Sequence, residues 1–387
     1  MAASFTYFCL QILLIAALIF SSSTLASATT TTDTNSRPFK KIYAFGDSFT
    51  DTGNTRSVSG PTPSGYGHVS NPPYGSTFFH HPSNRYSDGR LMIDFVAETL
   101  SLPFLPPYLN LKGSPTNGVN FAVAGSTAIN HAFFEKNNLT LDITPQSIQT
   151  QIIWFNEYLE KQGCNGSVSS SPECRAAFGE ALIWVGEIGA NDYVYTIGSS
   201  VSSDTIRKLA ISSVTAFLQA LLSKGVKYVV VQGLPPTGCL TLAMTLAPEY
   251  DRDDIGCVKS VNNQTSTHND VYQATLGDLR RQFPNATIAY LDYWNAYRTV
   301  MKNPAAYGFK EPFKACCGSS DPPYNFSVFA TCGTTSASAC PNPAQYINWD
   351  GVHLTEAMYK VLTGMFLYGT YSRPPFEYLL SRKQHEG

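Results

Sequence analysis

From residue 41 onward, short apolar runs alternate with longer amphipathic stretches, and this alternation limits the folds open to the chain more than any other feature. Strand-length runs rich in β-branched and aromatic residues suit a sheet covered on both faces, where alternation with polar residues is lost. Lys41–Phe45, Ala181–Val185, 226–231 and Thr287–Leu291 are such runs, each closing near Gly, Asn or Asp. Between them, 88–100, 145–161, 204–223 and 264–283 have helix length and apolar residues spaced three and four apart. The expected fold is α/β, with a mostly parallel sheet between helices in one domain spanning 41–375, followed by a C-terminal tail over 376–387. Two segments break the pattern: 58–87, dense in Gly, Pro, Ser, Asn and Tyr, and 312–343, which holds half of the cysteines beyond residue 28. Ordered loops of that length point to function or cross-linking, so the first is expected near substrate and the second under disulfide control.

The N-terminus has a different character. Residues 10–20 are apolar, and Ala26, Ser27 and Ala28 form a small-residue cleavage pattern. This reads as a signal peptide over 1–28 and implies secretion, with a Thr-rich leader following over 29–40. Past it remain Cys164, Cys174, Cys239, Cys257, Cys316, Cys317, Cys332 and Cys340, an even set that an oxidising compartment would pair. Cys164 and Cys174 are close enough in sequence to staple one loop, whereas no C-x-x-C pair or histidine cluster suggests a metal. Glycosylation sequons at Asn138, Asn165, Asn263, Asn285 and Asn325 fit the same export route. With 26 basic and 28 acidic residues, the chain has no basic stripe for nucleic acid. A small-molecule partner is expected, and no amphipathic segment argues for stable membrane association. No feature fixes the oligomeric state.

Chemistry concentrates where the first strand ends, at Gly46-Asp47-Ser48-Phe49-Thr50-Asp51-Thr52-Gly53-Asn54. Open α/β sheets bind ligands at the carboxyl ends of their strands. A serine there becomes a nucleophile only with a base to take its proton. Asp350-Gly351-Val352-His353, just before a helix-like stretch at 355–367, offers a histidine with an aspartate three residues back. That aspartate could fix the imidazole tautomer and leave the second nitrogen for the serine. His80 and His81 have no acidic residue at a comparable offset. Asp47, Asp51 and Asp192 are expected to bond backbone N–H groups, as turn aspartates do. Tyr66, Tyr74, Tyr86 and Phe79 in the first long loop could stack on an aromatic substrate or pack the loop itself.

The run around Ser48, then Gly118-Val119-Asn120-Phe121-Ala122-Val123-Ala124-Gly125, then Gly189-Ala190-Asn191-Asp192-Tyr193, then Asp350 to His353, resembles the ordered sequence blocks of plant GDSL (SGNH) esterase/lipases. The resemblance implies a three-layer α/β/α, flavodoxin-like SGNH hydrolase fold. It also implies a catalytic Ser48, a base His353 oriented by Asp350, and an oxyanion hole from the Ser48 and Gly125 N–H groups and the Asn191 amide. No cofactor is implied. Phe49 stands where the family carries the leucine of its name, a departure that bears on substrate fit. An α/β-hydrolase would need a G-x-S-x-G elbow, which no serine here supplies. An acyltransferase would use the same residues with an alcohol acceptor, and a secreted binding or defence protein would keep the fold without the chemistry. The preferred substrate is a soluble short-chain, glycan or specialised-metabolite ester.

Overall fold

The computed structural model describes residues 38–59, 67–139 and 144–385. The signal-peptide reading, nearly all of the leader and Tyr66 lie outside them. Within the described residues, the strands in chain order are β1 (Lys41–Phe45), β2 (Gly118–Asn120), β3 (Ala181–Val185), β4 (Tyr228–Gln232), β5 (Thr287–Leu291), β6 (Glu311–Ala315), β7 (Cys317–Gly318), β8 (Ser338–Ala339), β9 (Tyr346–Asn348) and β10 (Ser372–Arg373). The central sheet has the order β10-β5-β4-β3-β1-β2. Strands β1 to β5 run parallel, with Ala44 opposite Trp184 and Val185 opposite Val231, and β10 joins β5 antiparallel at one edge.

Side-chain alternation divides the core in two. Ile42, Ala44, Leu182, Trp184, Val230 and Ala289 face one layer, which is covered by the helices Met92–Thr99, Tyr293–Lys302 and Glu356–Leu367. Tyr43, Phe45, Ile183, Val185, Val229 and Ile288 face the other, under Ile148–Lys161, Ser203–Ser223 and Lys259–Gln282. Each fully buried aliphatic or aromatic side chain contributes about 1.5–3 kcal/mol of burial free energy. Ser203–Ser223 is long and apolar enough to cross a membrane by length and composition, but its apolar face, Ile206, Ala210, Val214, Leu218 and Leu221, belongs to this core.

Several boundaries differ from the sequence expectation for local reasons. The helix expected from residue 88 begins at Met92, because Asp88 instead receives the Glu356 N–H and the Thr77 hydroxyl while Asp94 accepts the Leu91 N–H. β4 begins two residues late, since Gly225 takes a positive φ of 91° to end the preceding helix and the Val226 N–H returns to Leu221. The helix expected from 264 starts at Lys259, over polar residues that carry no periodic signal. Within the expected C-terminal tail, Phe376–His385 forms a helix, with Phe376 and Leu379 buried. Packing also starts inside the segment read as a leader, where buried Phe39 meets Tyr228 edge-on at 5.3 Å.

The eight cysteines among the described residues all pair, as Cys164–Cys174, Cys239–Cys257, Cys316–Cys340 and Cys317–Cys332. The first staples a loop as the spacing suggested. The last two cross-link the 312–343 segment beside β6, β7, β8 and β9.

Candidate active site

The strand order places a topological switch point between β1 and β3, where the chain departs to opposite sides and a crevice opens at the strand ends. The turn after β1 carries Ser48, and the short helix after β3, Ala190–Val194, carries Asn191. Gly46 begins the β1 turn with φ 141°, its N–H and C=O both held by the buried Gln151 side chain at 3.0 and 2.8 Å. Asp47 accepts the Phe49 N–H on its side chain and the Thr50 and Asp51 N–H groups on its carbonyl, which fixes Ser48 within a tight turn. Asp51 receives the N–H groups of Gly53, Asn54, Thr55 and Ala124, and Asp192 those of Ala128 and Ile129. The three aspartates thus hold backbone, as expected of turn aspartates.

The loop after β2 brings Gly125 to the same end of the sheet with φ 80°, its carbonyl accepting the Tyr195 hydroxyl at 2.8 Å. Among the described residues, no acceptor takes the Ser48 or Gly125 N–H. Asn191 lies on the wall of the same cavity as Ser48, with its Nδ2 donating to Asp47 Oδ2 and to the Ser126 carbonyl, both at 3.0 Å. Both amide hydrogens are therefore committed, so one of these bonds must be exchanged for Asn191 to donate elsewhere. Burial, and then the neighbouring Glu187 charge, raise the Asp47 carboxyl, and burial raises Glu187 as well. Glu187 lies at the start of the Ala190–Val194 helix and accepts the Ala190 N–H at 3.0 Å.

Asp350 and His353 come together in the turn before the helix Glu356–Leu367. The Asp350 carboxylate accepts the Val352 and His353 N–H groups on Oδ1 and meets His353 Nδ1 at 2.8 Å on Oδ2. Burial alone would raise Asp350, but the His353 charge, the His353 bonds and the Tyr74 hydroxyl outweigh it and hold the carboxyl at about 2. The tautomer follows: Asp350 can only accept, so Nδ1 carries hydrogen and Nε2 is the free lone pair. Nε2 is buried and has no hydrogen-bond partner among the described residues. Thr355 caps the following helix by accepting the Met358 N–H, and its hydroxyl bonds the Tyr346 carbonyl, which sets where this turn ends.

The first long loop supplies residues that the sequence did not single out for this role. Tyr74 donates its hydroxyl to Asp350 Oδ2 at 2.7 Å, and the Tyr86 ring lies over the His353 ring at 4.6 Å. Both are buried, so they brace the His–Asp pair and present no stacking surface to a substrate. Phe49 packs against His353 at 5.5 Å and also lines the cavity, so it bears on the imidazole as well as on substrate fit. His80 and His81 are exposed, with Nδ1 atoms 3.2 and 3.1 Å from the Ser76 and Pro82 carbonyls. Glu187 and Gln151 were likewise not apparent from sequence; Glu187 is a charged residue among apolar and small ones, the one signal that could have marked it, whereas Gln151 follows Gln149 and Thr150 with nothing to set it apart.

Ser48 shares with Val352, Asn191 and Phe49 the wall of a cavity of about 290 Å³. A profile of the GDSL-like lipase/acylhydrolase family matches residues 42–363. The chain belongs to that family. The GDSL esterase/lipase At3g48460 of Arabidopsis thaliana is 61% identical over 376 residues, covering 95% of each chain. A second Arabidopsis thaliana GDSL esterase/lipase, At2g27360, is 38% identical over 93% of this chain and 92% of its own. Among solved structures, a mutant of Axe2, an acetyl-xylooligosaccharide esterase from Geobacillus Stearmophilus, aligns over 85% of this chain and 92% of its own at 13% identity with a TM-score of 0.37. The GDSL relatives make this protein a carboxylic ester hydrolase of plant type.

Proposed function

We propose that this GDSL hydrolase is a secreted serine esterase working through a Ser48 acyl-enzyme, with His353 as base, Asp350 as its orienting acid, and Ser48, Gly125 and Asn191 as the oxyanion hole. The observation that carries the reading is the buried His353 ring, bonded through Nδ1 to a carboxylate held at about 2, with Nε2 left unpartnered. Nε2 takes the Ser48 Oγ proton as Oγ bonds the ester carbon. The carbonyl oxygen then bears the negative charge, facing the unoccupied N–H groups of Ser48 and Gly125, and Asn191 exchanges one of its present bonds to join them. Losing one such donor typically costs about 2.7–4 kcal/mol of barrier. As the carbon–alcohol bond breaks, His353 returns the proton to the departing oxygen; water then gives its proton to Nε2, attacks the acyl carbon and releases the acid and free Ser48.

Four disulfides support action in an oxidising compartment. Asn138, Asn165, Asn263 and Asn285 are exposed, as glycan acceptors must be. Asn325 is half-buried, its amide bonded to the Ala315 carbonyl and the Ser320 N–H, and is the least suited of the five sequons. The test is turnover of nitrophenyl esters by the purified protein and by Ser48→Ala, with and without added alcohols. Free acid should form with the wild type and fall by at least about a thousandfold in Ser48→Ala. Equal rates in the two proteins would remove Ser48 from the mechanism.

A further inference from the structure

The cavity beside Ser48 is built mostly from apolar side chains. Leu234, Leu240, Ala243, Leu246 and Val261 line it, and Asp47 is its one charged side chain, already engaged with Phe49 and Asn191. Of its other polar groups, Thr237 and Thr265 bond each other at 2.7 Å, the Tyr193 hydroxyl meets His268 Nδ1 at 3.0 Å, and the Gln264 amide donates to Ser203. A sugar would need several convergent polar groups that this wall does not offer. Ile197 and Leu246, 60% and 58% exposed, form an apolar rim.

We infer that this cavity is the acyl-chain site, taking a saturated, medium-length apolar acyl group. The inference rests on the Ser48 reading above. Acyl and alcohol sides are told apart by proton transfer. His353 must protonate the departing alcohol, so the alcohol lies toward His353, which does not line the cavity. The cavity wall instead holds Ser48 and Asn191, the side of the carbonyl carbon and its oxygen. One wall is the short helix Thr241–Leu246, anchored by the Cys239–Cys257 disulfide before it and by a 2.8 Å bond from the Leu242 N–H to the Gly351 carbonyl. The acyl wall and the Asp350–His353 turn are therefore one connected piece. Small side chains at Ala243 and Ala247 keep the space open, so acyl length is set there. This moves the substrate from the short-chain or glycan esters preferred on sequence grounds to esters of medium-length fatty acids.

The experiment measures kcat/KM for nitrophenyl esters from acetate to dodecanoate, and in parallel for acetate esters of alcohols of matching lengths. Wild type should gain about fourfold per added methylene up to octanoate or so, with little dependence on alcohol length. Ala243→Phe should lower the octanoate-to-acetate ratio at least tenfold. Labelling of Ser48 by a small fluorophosphonate checks that the variant is folded; if it is not labelled, Leu246→Ala at the rim carries the test and should move the optimum to longer chains. A flat or falling acyl profile with Ser48-dependent turnover, an unchanged profile in the labelled variant, or dependence on alcohol length alone would each overturn the acyl site while leaving Ser48 in place. Loss of both labelling and Ser48 dependence in wild type would instead overturn the underlying mechanism, and this inference with it.

Discussion

Asp350 accepts four hydrogen bonds, from the Val352 and His353 N–H groups, His353 Nδ1 and the Tyr74 hydroxyl. The first three come from its own turn, and the D-x-x-H spacing makes that arrangement readable from sequence. The fourth comes from a tyrosine 276 residues away, across a loop whose path no local pattern specifies. Tyr74→Phe removes the hydroxyl and keeps the ring packed edge-on against Trp349. Oδ2 then loses one of its two donors, a charge-assisted bond worth about 1.5–3 kcal/mol. The expected result is a fall in kcat of about tenfold or more with KM unchanged, because the tyrosine braces the dyad and does not touch substrate. Steady-state kinetics on one ester decides it; a change in KM alone would reassign Tyr74 to binding. Ser48, Gly125, Asn191 and His353 lay in recognisable blocks. That Asn191 has both amide hydrogens engaged could come only from the packing of Asp47 and Ser126 around it.

The longer strands were legible because runs such as Ala181–Val185 and Thr287–Leu291 are continuous, strand-length and bounded by turn residues. β2 and β10, three and two residues long, carry too little pattern to be recognised alone. The Thr241–Leu246 helix was not foreseen either, being too short for a periodic signal, although it walls the cavity. The disulfides separate stability from specificity at this scale. Cys164–Cys174 joins the end of one helix to the next, away from the site residues. Its replacement by two serines should cost about 2–4 kcal/mol and lower the melting temperature by several degrees, with kcat/KM unchanged well below the melt. Calorimetry with parallel assays checks this, and an activity loss without a stability loss would count against it.

Across the whole molecule, buried titratable groups set how stability responds to acid. His268 is buried against Tyr193; burial first, and then the Arg207 charge, lower it to about 3. A histidine neutral in the fold and titrating near 6.5 when unfolded contributes stability that is complete above about pH 6.5 and lost as pH falls toward 3. Asp192, raised by burial to about 7, acts in the opposite sense, weakening the fold as pH rises from about 4 to 7. His268→Phe should therefore flatten the loss of melting temperature between about pH 6.5 and 4; an unchanged acid slope would show that other groups govern it. The sequence showed a histidine on an amphipathic helix but not which face it would occupy. The same scale gives the 312–343 cross-links a role in time. The Cys316 and Cys317 N–H groups bond the Asn348 and Trp349 carbonyls, so the bed of the Asp350–His353 turn is tied to two disulfides. Ser48 precedes this bed in the chain. On the proposed mechanism, the bed of the Asp350–His353 turn is complete only once these two disulfides have closed.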